Sequence, residues 1–361
     1  MPNPNAIVGL IVRIEPEIEK GNAAEAFRRY PDGFTIVFEG NQTARLYPGD
    51  RSAGMLQVLE GLRQLGTPAY VEVDPQTRGI IRLLIPLVTR VAQIVERAEE
   101  ITVELIASHA QHLLLRKNPD SADLLRMLRD FQAKSAPAFV TETEAHEIID
   151  VRPSSLEPKK TGTIPPLGRK PVGWLRKLFC RCFCWCCCVS AKKAEQMFNM
   201  VSATTCDPLT VPSPCIPFLY PDDGCWARAH EMCRLMIAAG VKPRKIWIAG
   251  GLLAKTKNNP SCQVSWGWHV APTLCVRRHF CSTEDLVIDP SLFTAPVSEA
   301  TWKGVQGDPN ATLTPTDAAT YWGAGTTDPN YVDTNYWLQY YRLQLQNRSL
   351  QVGPPPYAYC P

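Results

Sequence analysis

The stretch Tyr220-Pro-Asp-Asp-Gly-Cys-Trp-Ala-Arg-Ala-His-Glu-Met232 decides how the rest of the chain is read. Pro221 to Gly224 have the composition of a turn, and from Cys225 onward a helical run takes over. One cysteine therefore stands where a helix begins. Unpaired backbone N–H groups and the positive end of the helix dipole favour a thiolate there. With an imidazolium alongside, such a thiol reaches a pKa of roughly 3.5 to 7.5, against about 8.5 for free cysteine. Downstream, Ser265-Trp-Gly-Trp-His269-Val-Ala271 predicts a strand bearing a histidine, and Leu286-Val-Ile-Asp289-Pro290 predicts a strand ending on an aspartate. Cys225, His269 and Asp289 form the layout of a thiol acyl-transfer catalyst. The cysteine is the nucleophile, the histidine the acid–base group, and the aspartate fixes the imidazole tautomer.

Alternation along the histidine strand puts Ser265, Gly267, His269 and Ala271 on one face and Val264, Trp266, Trp268 and Val270 on the other. Tyr220, Trp226, Trp266, Trp268 and Ser265 are candidates for substrate contact. His230, five positions beyond Cys225, points roughly 140° away around the helix axis and reads as a packing residue. Cys233 reads as a buried thiol. Asp222 and Asp223 read as turn and cap builders.

The chain has 361 residues, enough for two domains with a core in each. Its 45% hydrophobic and 20% charged content describes an ordinary globular protein, and a net charge of +3 gives no argument for a nucleic-acid partner. No apolar run reaches the length of a membrane span. The N-terminus lacks the basic and apolar regions of a secretory signal. The expectation is export by a signal-independent route, injection into another cell, or a cytoplasmic life. All 14 cysteines lie between Cys180 and Cys360, so two differently made halves have been joined.

Residues 1–152 predict alternating short strands and helices. Ala6 to Ile14, Thr35 to Glu39 and Ala69 to Val73 are β-rich runs, while Met55, Leu56, Leu59 and Leu62 keep helical spacing behind Ser52 as N-cap. Shifted by 69 residues, Ser52, Leu56, Leu59 and Leu62 meet Ser121, Leu125, Leu128 and Phe131. The same shift carries Pro68-Ala69-Tyr70-Val71 onto Pro137-Ala138-Phe139-Val140. This predicts a duplicated α+β module with repeats at about 34–85 and 103–152, serving binding, targeting or inhibition. His109, His112 and His146 show no metal-ligand spacing, and neither a metal nor a cofactor is expected anywhere in the chain.

Residues 153–190 read as a Pro/Lys-rich linker running into a cysteine and aromatic cluster. Cys180, Cys182, Cys184, Cys186, Cys187 and Cys188 stand among aromatic and basic residues. Metal thiolates, disulfides and a membrane-surface segment over 173–189 compete. The last is preferred, because its aromatics suit an interface and its basic residues suit anionic lipid.

From Ala191 onward the sequence resembles the protein-glutaminase (protein-glutamine glutaminase) family. The resemblance is carried by Cys206, Pro214-Cys-Ile-Pro-Phe218, Tyr220-Pro221, Asp223-Gly-Cys-Trp-Ala-Arg-Ala-His-Glu-Met232, Trp266, His269-Val-Ala271 and Ile288-Asp-Pro-Ser-Leu-Phe293. It implies deamidation of glutamine side chains in protein or peptide substrates, with Cys225, His269 and Asp289 in the roles above. It also implies a disulfide between Cys206 and Cys215, with Cys262, Cys281 and Cys360 as further candidates. The expected fold is α+β: a papain/transglutaminase-like thiol hydrolase domain over 191–361, preceded by the duplicated module. Transglutaminase-like or thiol-protease acyl transfer stays open as an alternative. So does a non-enzymatic interaction protein acting through its N-terminal repeats.

Overall fold

The computed structural model describes residues 3–18, 23–159, 188–278, 282–323 and 325–361. Its contacts divide the chain into two units, the first being 1–160, 207–211 and 339–355, and the second 161–206, 212–338 and 356–361. Both mix helix and sheet.

The first unit begins with β1 (Ala6–Gly9), β2 (Ile11–Glu15), α1 (Ala23–Arg29), β3 (Phe34–Phe38), β4 (Thr43–Leu46), α2 (Ser52–Leu65), β5 (Ala69–Val73) and β6 (Ile80–Leu84). It continues with β7 (Leu87–Thr89), β8 (Val91–Glu96), β9 (Glu100–Leu105), β10 (His112–Leu115), α3 (Ser121–Lys134), β11 (Ala138–Glu142) and β12 (Ile148–Pro153). The first eight elements build sheets in the orders β1-β5-β6 and β2-β3-β4, and the next seven build β7-β11-β12 and β8-β9-β10. Details recur as well. The hairpins β5–β6 and β11–β12 carry a register shift at Val73 and at Glu142. Helices α2 and α3 end on left-handed residues, Gly66 and Ser135. The run Ala6–Ile14 is two strands in different sheets, not one. Ser52 is the first helical residue and not the cap, because its hydroxyl donates to Tyr47 O at 2.6 Å.

The second unit holds α4 (Ala191–Ser202), α5 (Cys225–Ala238), β13 (Arg244–Lys255), β14 (Gln263–Arg277), β15 (Thr283–Val287), β16 (Val297–Ser298), α6 (Glu299–Gly304) and β17 (Thr312–Asp317). Its strands form one antiparallel sheet, β16-β15-β14-β13-β17. The central strand β14 is rich in β-branched and aromatic residues, which suit a sheet buried on both faces. Helix α5 packs on β14 and α4. It is buried almost all round, from Cys225 to Cys233 and again at Met236, as befits a core helix. Trp247, Trp266, Trp302 and Trp322 are each no more than 1% exposed. Each hides roughly 200 Å², on the order of 5 kcal/mol of apolar burial.

The aromatic content of the tail from Asn335 to Leu345 taken alone predicts a closing strand, but the tail forms helix α7 (Val332–Val352). Tyr336, Trp337, Tyr340 and Tyr341 are spaced for one helical side, and no Gly or Pro interrupts them. Three disulfides form among the described residues: Cys188–Cys275, Cys206–Cys215 and Cys262–Cys360. The first and third close loops with separations of 87 and 98 residues. In the chain-entropy account each of these is worth about 4 to 5 kcal/mol, against about 2 to 3 for the short Cys206–Cys215 loop. Cys188 leaves the cysteine cluster for a distant partner, and Val189 N–H donates to Cys275 O at 2.8 Å. The rest of the cluster, the membrane-surface segment up to residue 187, and Cys281 lie outside the described residues.

Candidate active site

The site starts at the turn before α5. Gly224 takes a left-handed φ of 78°, a conformation that costs a residue with a Cβ, and α5 begins at the next residue with Cys225. Gly224 N–H donates to Asp223 Oδ1 at 2.9 Å, while Asp222 accepts from Asn259 Nδ2 on its carboxylate and from Trp266 Nε1 on its carbonyl at 2.9 Å. Arg228, one turn into the helix, sends Nη1 back to Tyr220 O at 2.9 Å and to Asp223 O at 2.5 Å. The turn is therefore clamped from the helix and from the sheet, which fixes where the Cys225 side chain emerges. Asp222 and Asp223 serve as turn builders.

Cys225 is 1% exposed. That burial pushes its thiol well above the usual cysteine range. Arg228 and a backbone hydrogen bond from Val270 pull the other way, and Asp223 and Asp289 push further up. The thiol is thus held protonated here, unlike the low-pKa thiolate that the helix start alone predicts. The helix dipole is one partial charge, and the loss of water outweighs it.

His269 lies on β14 beside Ile248 of β13. Its Nε2 meets Asp289 Oδ2 at 2.9 Å. A ring nitrogen of His269 and Cys225 Sγ lie within 4.8 Å of each other. Asp289 Oδ2 also accepts from Trp302 Nε1 at 2.9 Å, and Oδ1 accepts from Ser291 N–H at 3.2 Å. Burial alone would push this carboxyl up, but the His269 charge and hydrogen bond, the Trp302 N–H and Arg228 hold it below the usual carboxylate range.

Two tryptophans flank the imidazole. Trp266 stacks on it with centroids 4.6 Å apart and Trp302 at 5.5 Å. Simple alternation assigned Trp266 to the opposite face. The register shift between Ala249 and Leu252, at Gly250–Gly251, changes the pleat, and Trp266 joins the core cluster that holds Ala271 and Trp302. Trp268 stays on the other face. It packs with Trp226, Trp247 and Trp322 at 5.2 to 5.9 Å. Trp226 and Trp268 therefore belong to an aromatic core, with Trp337 against Trp226 at 5.5 Å. Ser265 is half-buried and pairs with Leu253, and Tyr220 is buried with its carbonyl on Arg228.

His230 is turned away from the thiol. Its Nε2 donates to Asp328 O at 3.2 Å and its Nδ1 accepts from the buried Lys245 Nζ at 2.9 Å. Burial and the Lys245 charge lower its pKa to about 4, so the ring is neutral. Cys233 is a buried free thiol, pushed up to about 11 by burial.

Trp302 and Arg228 complete the site, and sequence reasoning singled out neither. A buried arginine inside an apolar helix was a usable signal. Trp302 gave none, since only the fold brings it to Asp289. We expect Trp302→Phe, which keeps an aromatic ring and removes the N–H, to lower kcat/KM about 10-fold, the worth of one hydrogen bond to a charged group. An unchanged kcat/KM in steady-state assays would show that the indole does not hold Asp289 in place.

A protein-family model described as Glutaminase matches residues 194–306. The crystal structure of pro-protein-glutaminase is similar in fold, with 22% identity and a TM-score of 0.50, covering 77% of this chain and 99% of that one. A protein-glutaminase crystal structure has 30% identity and a TM-score of 0.39, covering 48% of this chain and 95% of that one. The NMR structure of protein-glutaminase from Chryseobacterium proteolyticum also has 30% identity and a TM-score of 0.39, covering 48% and 94%. No curated protein matches the sequence. The class is that of a hydrolase. The C-terminal part of the chain belongs to the protein-glutaminase family, and with that membership comes protein deamidation in its general form.

Proposed function

We propose that the second unit deamidates glutamine side chains in proteins through a thioester on Cys225, with His269 as acid–base and Asp289 as its positioning partner. The observation that carries the reading is the 2.9 Å pair of His269 Nε2 and Asp289 Oδ2 beside the buried Cys225 thiol. Cys225 Sγ attacks the carboxamide carbon and gives its proton to His269. The backbone N–H of Cys225, at the helix start, receives the oxyanion. His269 returns the proton to the departing ammonia, then takes one from the water that hydrolyses the thioester, leaving glutamate and the thiol. A nucleophile on a helix start, with its histidine on β14 and its aspartate two residues past the end of the neighbouring β15, favours a papain/transglutaminase-like architecture.

The first unit reads as a tandem duplication, since its two halves share sheet order and bulge positions and, apart from α1, which only the first half carries, element order. The pro-protein-glutaminase structure covers 77% of this chain, where the protein-glutaminase structure covers 48%. That difference supports an inhibitory role for residues 1–152. One experiment tests both readings. A protein mixture is incubated with the intact chain, or with the chain cleaved between Arg152 and Lys193, and mapped by mass spectrometry. Glutamine-to-glutamate shifts of about 1 Da that increase on cleavage are expected. Amine incorporation or backbone scission in place of those shifts overturns the deamidase reading, and equal shifts before and after cleavage overturn inhibition.

A further inference from the structure

We propose that the first unit holds a zinc site made by His112, Glu142 and His146. His112 opens β10, Glu142 closes β11 at its register shift, and His146 lies in the β11–β12 hairpin with a left-handed φ of 60°. His112 Nδ1 lies 2.5 Å from Glu142 Oε2, and His146 Nδ1 lies 2.9 Å from Oε1. One carboxylate therefore faces a nitrogen from each of two imidazoles. The three ligand atoms lie within 4.8 Å of one another, His112 and His146 are buried, and Glu142 keeps 22% of its side chain exposed as a path for an ion. Two imidazoles and a carboxylate, with a fourth position for water, are a standard zinc donor set. Donors about 2.1 Å from a tetrahedral zinc stand roughly 3.4 Å apart, so the ion requires the two contacts to open by less than about 1 Å.

The fold does not need these residues. In the first half of the unit Arg45 N–H donates to Arg78 O as Leu113 N–H donates to His146 O, and Arg78 is left-handed like His146. The bridges Arg45–Gly79 and Leu113–Glu147 match, and the register shifts at Val73 and Glu142 match. At the places of His112, Glu142 and His146 that frame carries Ala44, Val73 and Arg78. The same hairpin is thus built without a donor set, so backbone geometry does not account for the two histidines and the glutamate. The fold brings together residues that stand 30 and 34 positions apart, a juxtaposition that ligand spacing along the sequence does not reveal.

Binding requires both Nδ1 atoms as lone pairs, with each ring proton on Nε2. For His112 the acceptor is already in place, because Nε2 lies 3.0 Å from Ser108 Oγ. That is the outer-shell contact that orients a metal-bound imidazole.

The test uses the full chain, stripped with chelator and with accessible thiols alkylated so that cysteines cannot supply ligands. After zinc loading and gel filtration, elemental analysis is expected to find one zinc per chain, and cobalt(II) loading to give visible d–d bands. His112→Gln, Glu142→Gln and His146→Gln should each weaken zinc at least about 10-fold, and Ser108→Ala, which spares every ligand, about 10-fold. Circular dichroism checks that each variant is folded. Sub-stoichiometric zinc in the alkylated wild type, or equal retention by the folded ligand variants, overturns the site.

Discussion

Cys225→Ala is expected to lower ammonia release from a glutamine-containing peptide by about 10^4-fold or more, since removing the nucleophile of a coupled catalytic set costs nearly the whole covalent route. The side chain is small and buried at the first position of a core helix, and alanine is the best helix former, so the fold should persist. Thermal unfolding of the variant should therefore stay within a few degrees of the wild type. Turnover is read as ammonia against time with the two proteins at equal concentration. Equal release would remove the enzyme reading and leave an interaction protein acting through its N-terminal unit. A partial loss of about 10-fold would point instead to Cys225 as a residue of the binding surface, with the covalent step elsewhere.

The proximity of Cys225, His269 and Asp289 was legible because their residue types are scarce and their order is chemical. Among six histidines, only His269 sits in an apolar alternating run between a turn-cysteine and a strand-end aspartate. What escaped depends on contacts that no local pattern encodes. Trp302 meets Asp289 across a loop and a short helix, and its sequence surroundings give no sign of a polar partner. The face of Trp266 depends on a register shift in the neighbouring strand, which period-2 counting along β14 cannot see. The thiol pKa went the other way because helix-start electrostatics were visible in the sequence and burial was not. The tail from Asn335 to Leu345 looked strand-like from its aromatic content, yet its spacing is helical, and spacing prevailed over composition.

Asp289 carries the second large effect, and its two substitutions should part company. Asp289→Ala removes the acceptor of His269 Nε2, Trp302 Nε1 and Ser291 N–H together. Loss of the imidazole tautomer is expected to lower kcat by about 10^3- to 10^4-fold. The Trp302 and Ser291 donors left in a buried pocket cost about 1 to 3 kcal/mol each. Asp289→Asn is the finer test. An asparagine that turned its NH2 to His269 would enforce the wrong tautomer and be as damaging as alanine. Here Trp302 N–H points at the same oxygen, so an NH2 there would face two donors, whereas the carboxamide oxygen satisfies both. The amide should therefore settle with its oxygen toward His269 and its NH2 toward Ser291, losing only the weaker 3.2 Å contact and the charge. A fall of about 10- to 100-fold is expected, markedly less than for alanine. The stability cost has a pH signature with a definite sign. The folded carboxyl is held below its unfolded value of about 3.9, so its contribution is complete above that pH and fades as pH drops toward the folded pKa. Denaturant unfolding should therefore separate wild type from Asp289→Ala fully at pH 7 and progressively less below about pH 4. Equal kcat losses for Asn and Ala would show that the charge, and not the orientation, is what His269 needs. Wild-type rates in both would exclude Asp289 from the catalytic set.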